Sequence, residues 1–146
     1  MRVLFISFEF LLVLGGLIVF FFYDTMLTNF GVLNLNNDAL KWAFILPLTI
    51  AGTTFKEGVL VLFPDEEKAK VFHEWPDYWK LKAHFNIGIF ISITLSFSCF
   101  FIWMGNKLED NRWLFLFSIF TIALLINTCS FYLAKIKIKS GLVKLY

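Results

Sequence analysis

The sequence predicts an all-α integral membrane protein: an antiparallel four-helix transmembrane bundle with both termini cytoplasmic. Three observations predict it. Of 146 residues, 59% are hydrophobic and 20 are Phe, with a mean hydropathy of +0.75, whereas soluble domains sit nearer one half apolar. Four apolar segments each approach the roughly 20 residues that cross about 30 Å of hydrocarbon. Lys and Arg are also shared very unequally between the two sides that such spans create. Thirteen basic and eleven acidic side chains cannot shield that much apolar surface from water.

The first span, residues 3–22, opens the chain as "MRVLFISFEFLLVLGGLIVFFF". Its apolar run is longer than the core of a signal peptide, and no small-residue cleavage site follows, so it reads as a retained helix. The second span covers residues 42–63. Ending it at Thr54 would leave 13 residues, a rise of only about 20 Å, so the segment must run on through Lys56 and Glu57. Pro47 is expected to kink it. The third span, 85–104, is expected to begin below the membrane near Asp77, and the fourth covers 113–134. The whole chain, 1–146, forms one membrane domain with a cytoplasmic loop at 64–84 and a cytoplasmic tail at 135–146. The length leaves no room for a separate soluble catalytic module.

Topology follows from the basic residues. With both termini and the 64–84 loop on one side, that side holds Arg2, Lys68, Lys70, Lys80, Lys82, Lys135, Lys137, Lys139 and Lys144. The other side holds Lys41, Lys107 and Arg112. The richer side is cytoplasmic by the positive-inside rule, which for a bacterial chain means multi-pass insertion in the inner membrane, N-in and C-in. Tyr23, Trp42, Trp75, Tyr78, Trp79, Trp103 and Trp113 fall near span ends, as an aromatic belt should.

Charges within spans usually face the bundle interior and find partners. Glu9 and Lys56 each lie about 10 Å from the cytoplasmic end of their helices, which suggests an intramembrane charge pair, with Glu57 directed elsewhere. Snorkelling of Lys56 to the headgroups and a broken second helix remain open. Asn127 is a further intramembrane polar group. On the third span Gly88, Ser92 and Ser96 recur every four residues, a small-residue stripe for close helix approach, either between copies in a homo-oligomer or within one subunit. Gly15–Gly16 and Ala51–Gly52 offer further close contacts. Cys99 and Cys129 lie at different depths, so a disulfide between them is not expected.

The loop "FPDEEKAKVFHEWPDYWKLKAH" holds an acidic set, Asp65, Glu66, Glu67, Glu74 and Asp77, beside Trp75, Tyr78 and Trp79. These residues read as a docking surface for a cytosolic protein, although aromatics at a span end also anchor to headgroups. A short helix is expected over 64–73. His73, Glu74, Asp77 and His84 fit no strong zinc spacing. With no nucleophile or phosphate-binding loop either, no catalytic residue, metal or cofactor is expected. Lys135, Lys137, Lys139 and Lys144 on the tail suit anionic lipid or an acidic partner. Direct nucleic-acid binding is not expected, and the Asn-rich loop 23–41 identifies no ligand.

Four short spans, cytoplasmic ends and the charged loop "FPDEEKAKVFHEWPDYWKLK" resemble the layout of small membrane components of bacterial anti-phage systems, in particular that of Kiwa. The resemblance is one of layout and transfers no site residue. It implies a membrane sensor or anchor that acts with a cytosolic, DNA-binding partner. Pore-forming colicin immunity proteins are similar in layout too. The expected function is therefore a non-enzymatic inner-membrane subunit that oligomerises and docks or signals to a cytosolic protein. The alternatives are a membrane-perturbing pore-type effector and a bilayer-embedded immunity protein.

Overall fold

The computed structural model describes residues 2–22, 42–62 and 78–143, which are all helix or turn with no strand among them. Four helices follow one another: α1 (Arg2–Phe22), α2 (Ile45–Leu62), α3 (Tyr78–Met104) and α4 (Asn111–Val143). A short 3-10 turn, Lys107–Glu109, links α3 to α4. Two stretches are long and apolar enough to cross a membrane, Lys82–Met104 in α3 and Asn111–Ile136 in α4.

Contacts between named side chains give the helix directions. Phe20 of α1 meets Trp113 at the start of α4, and Gly16 faces Ile119, so α1 and α4 run antiparallel. Thr54 meets Thr128 and Glu57 meets Lys135, so α2 and α4 run parallel. Gly58 lies against Ile89 and Phe44 against Phe100 and Trp103, which sets α3 antiparallel to α2. The chain therefore runs up, down, up, down. The helices do not form an even square: α4 packs against each of the other three and α2 against α3, while α1 has α4 as its main neighbour.

The chain reverses between α3 and α4 for local reasons. Asn106 takes the left-handed conformation (φ 51°), which Asn tolerates better than most residues and which commonly ends a helix. Asp110 then turns extended, and its side-chain oxygen accepts from the Arg112 backbone N–H at 3.0 Å, the usual N-cap arrangement. Leu108 tucks into the core from the 3-10 turn.

The core lies along α4. Ala123 and Leu124 are fully enclosed, and Leu116, Phe117 and Phe120 continue that face towards Phe20, Ile50, Leu95, Cys99 and Ile102. The opposite faces carry large apolar side chains on the surface: Phe21 and Phe22 on α1, Leu46 and Leu48 on α2, Phe90 and Phe97 on α3, and Leu125 and Leu133 on α4.

Three expectations about the elements need correction. Pro47 does not kink a helix interior. It stands in the first turn of α2, where no intrahelical acceptor awaits its missing N–H. Helix α4 does not stop at Ala134 but continues through the Lys-rich segment to Val143, because nothing from residue 135 to 139 breaks a helix. The second helix begins at Ile45 rather than at Trp42, since residues 43 and 44 form a turn, and residue 63 lies outside the described residues. Helix α3 does start at Tyr78, one residue beyond the expected extension. The expected loop helix at 64–73 and the loop at 23–41 lie outside the described residues.

Candidate functional site: the polar seam around α4

Buried polar groups in an apolar bundle are expensive unless bonded, so their arrangement is informative. Among the described residues several gather where α4 meets α2 and α3, while Glu9 is buried on α1. Asn127 is buried, and its amide donates twice, to the Gly88 carbonyl at 2.8 Å and to Ser92 Oγ at 2.7 Å. The bond to a backbone carbonyl of α3 requires the two helices to lie close, and Gly88 supplies the space. A Cβ at that position would stand 2.5 Å from the Phe131 ring. Phe131 in turn packs edge-on against Phe85, with centroids 4.4 Å apart.

On the α2 side, the Thr54 and Thr128 hydroxyls lie 2.6 Å apart. Each also has its own-helix carbonyl one turn back, Ile50 at 2.9 Å and Leu124 at 2.9 Å. Two turns further along α4, Lys135 Nζ reaches Glu57 Oε2 at 2.5 Å in a part-buried ion pair. Gly58, next to Glu57, is a second close approach, since a Cβ there would meet Ile89 at 2.7 Å. In order along α4, the seam thus carries an amide, a hydroxyl pair and an ion pair, flanked by two glycines on the neighbouring helices.

The other end of the bundle is built differently. The Arg112 guanidinium donates to the Phe20 carbonyl at 3.3 Å and lies over the Phe20 ring at 5.1 Å. Lys107 sits over the Trp113 ring at 4.1 Å, and Phe20 meets Trp113 edge-on at 5.0 Å. These contacts close the C-terminal end of α1, where free carbonyls attract a cation.

The structure thus reassigns several residues. Glu9 and Lys56 do not pair: Glu9 is buried and Lys56 exposed, and no ion pair joins them among the described residues. The physical reason is packing. Helix α1 has α4, not α2, as its principal neighbour, so sequence adjacency of the two helices does not bring those faces together. Glu57 makes the ion pair instead, and its partner is Lys135, expected to belong to a lipid-facing tail. The Gly88, Ser92 and Ser96 stripe is buried within the one chain, with Gly88 and Ser92 against its own α4. Cys99 and Cys129 are free thiols, the first buried and the second exposed.

Of the expected docking residues, Asp65, Glu66, Glu67, Glu74, Trp75 and Asp77 lie outside the described residues, as does Lys144. Tyr78 and Trp79 begin α3, and Trp79 is exposed. Lys137 and Lys139 lie on the last turns of α4. No group of three or more His, Cys, Asp or Glu suited to a metal occurs among the described residues.

The Thr54–Thr128 bond and the Arg112 clasp carry no sequence signal, since threonines in apolar helices and an Arg at a helix start are common. Asn127 with the small-residue stripe was visible as two separate features, and nothing in the spacing joined them. The chain matches no protein-family model, no curated protein and no solved structure. The fold therefore defines the class by itself: a helical protein with, among the described residues, two helices long and apolar enough to cross a membrane.

Proposed function

We propose that the chain is a non-enzymatic inner-membrane subunit in which all four helices cross the bilayer, and that it docks or signals to a cytosolic partner through the 64–84 loop. The observation that carries the membrane reading is the chemistry of the surface. Large apolar side chains are exposed on every helix, with Phe22 at 79% and Phe90 at 70%. The exposed hydroxyls between them turn back to their own helices. Thr49 donates to Ile45 O, Thr94 to Phe90 O, Ser98 to Thr94 O and Ser118 to Leu114 O. Polar groups that satisfy themselves within one helix suit lipid, where no water is available. A water-soluble chain of this size rarely shows so continuous an apolar surface.

Helix α1, with 21 residues, spans about 30 Å, and α2 reaches a similar length with its preceding turn. The alternating helix directions put the start of α1, the end of α2, the start of α3 and the end of α4 at one end of the bundle, and this supports the N-in, C-in reading. The unequal distribution of Lys and Arg makes that end cytoplasmic. The acidic and aromatic segment joins α2 to α3 in sequence, so in this reading a partner's pull on it is passed through those helices to Glu57–Lys135 and Asn127. In this reading the chain serves as a membrane sensor or anchor of the anti-phage kind, and it forms homo-oligomers through a face other than the buried stripe of α3. The runner-up is a pore-type effector, favoured only by the exposed Lys56, which shares its face of α2 with Thr49, Gly52 and Thr53.

Two measurements test the proposal. Alkaline carbonate treatment of membranes is expected to leave the chain in the pellet. A detergent pull-down from host cytosol is expected to retain a soluble protein that is lost when Glu66, Glu67 and Glu74 are changed to Gln. A chain that retains nothing, and whose expression collapses the membrane potential, is the effector instead.

A further inference from the structure

Glu9 is 3% exposed, the one charged residue among the buried described side chains, although its neighbours Phe10 and Leu11 lie on the surface. Among the described residues it makes no hydrogen bond and no ion pair. Its surroundings explain why. Gly16 faces Ile119, and Glu9 lies two turns before Gly16 on a helix antiparallel to α4. That register puts it level with Ile126 and Asn127. From Ala123 to Ser130, α4 carries no charge, and its one titratable group, Cys129, is exposed.

Most donors near that level are committed elsewhere, the buried Ser130 hydroxyl one turn further along α4 being uncharged. Both amide hydrogens of Asn127 go to α3, and the Thr54 and Thr128 hydroxyls serve each other and their own helices. The charges on other elements face elsewhere: Lys56 is exposed on α2, Glu57 is held by Lys135, and His84 and Lys82 lie near the start of α3. On α1 itself Arg2 is two turns away, with its side chain outside the described residues. A carboxylate so enclosed has no counter-ion among the described residues, and a buried acid without one takes up a proton rather than stay charged.

We infer that Glu9 is a proton-binding site within the membrane, a carboxylic acid while α1 lies on α4, which gives up its proton only when water reaches that seam. The inference rests on the membrane reading above. It gives the seam a chemical state: loss of the proton leaves an unpaired charge between α1 and α4 and loosens the one helix that has a single main neighbour.

A hydrophobic carbodiimide reports this state. The acid's O–H adds across one C=N bond, its proton going to nitrogen and its oxygen to the central carbon. The acyl group then shifts from oxygen to nitrogen to give a stable N-acylurea, with every atom retained. The full chain in phosphatidylcholine vesicles is treated with dicyclohexylcarbodiimide, or with a water-soluble carbodiimide plus glycine ethyl ester, and the sites are mapped by mass spectrometry. Glu9 is expected to react with the hydrophobic reagent at least about tenfold faster than with the soluble one, and more slowly as pH rises. The part-exposed Glu57 is expected to lack that preference.

Equal reaction of Glu9 with both reagents places it in water, and reaction with neither means it is paired and charged. Either result overturns the inference. Glu9→Gln is expected to abolish labelling at that site while the chain still elutes as wild type. Loss of assembly in Glu9→Gln would show that the charge is needed and would also overturn it. Carbonate extraction of the same vesicles separates the two readings. A chain that extracts fails the membrane proposal, whereas a chain that stays and leaves Glu9 unlabelled fails this one alone.

Discussion

The two ends of the bundle are held by different chemistry. At the end that carries the α3–α4 reversal, the contacts are aromatic and cationic: Phe20 with Trp113, Phe44 with Phe100 and Trp103, Arg112 over Phe20 and Lys107 over Trp113. Towards the other end they are directional bonds between named atoms, from Asn127 to Gly88 and Ser92, from Thr54 to Thr128, and from Lys135 to Glu57. Stacked rings tolerate a slide of an ångström or so, because the attraction is broad. A bond to one carbonyl does not, because it weakens steeply with distance and angle. The aromatic end thus holds the helices together, while the polar half fixes their register, and the polar half is the one nearer the end of α2 and the start of α3.

The largest test of this contrast is at the glycines. Gly88→Val puts methyl groups into the Phe131 ring and pushes α3 away from Asn127, so it combines overpacking with a broken bond. We expect a loss of about 3 kcal/mol in a denaturation titration in detergent. Gly58→Ala crowds only the movable end of the Ile89 side chain, with Phe131 at an ordinary 3.5 Å, and should cost about 1 kcal/mol. Gly52, with nothing within 4 Å, should accept Ala with no loss. Equal effects at all three would mean that the close approach of α3 to α4 is not what holds the seam.

Next comes Asn127 against Arg112. Asn127→Ala removes two interhelical bonds and leaves a small void, at about 2 kcal/mol. Arg112→Met keeps the apolar stem over Phe20 and loses only the cationic contact, at about 1 kcal/mol or less. The sharper difference should appear in register rather than stability. Cysteines placed across α3 and α4 should cross-link at a single pairing in wild type and in Arg112→Met, and at several pairings in Asn127→Ala. A single pairing in all three would remove the division of labour.

The smallest effect belongs to the ion pair. Its side chains are 42% and 24% exposed, so either single change, Glu57→Gln or Lys135→Met, should cost no more than about 1 kcal/mol. The reversed pair, Glu57→Lys with Lys135→Glu, should recover most of what Glu57→Lys alone loses. The same exchange between Glu9 and Lys56 should recover nothing, because those residues do not meet.

Much of the helical layout was legible in the sequence. The third and fourth segments were found because long apolar runs have one reading, and α3 starts within a residue of where its flanking charges put it. The second helix was placed less well at its start, because Trp42 and Ala43 are as apolar as the first residues of α2 and only backbone hydrogen bonding marks the turn. The candidate site was legible as residue types but not as partners. Glu57 and Lys135 are 78 residues apart, and no period or motif connects them. Glu9 and Lys56 looked paired because their helices adjoin in sequence and their depths agree, yet depth fixes one coordinate only, and rotation about each helix axis fixes the rest.

The sequence alone determined that this protein is helical and that its apolar surface must face something other than water, since composition and run length act locally and leave little choice. Only the tertiary structure decided which polar groups meet. It made α4 the hub, turned Gly88 and Ser92 of α3 inward onto Asn127, gave Lys135 to Glu57 and left Glu9 without a partner among the described residues. Those outcomes depend on helix rotation and neighbour choice, set by the close approach at Gly88 and Gly58, where a single extra carbon would hold the helices apart.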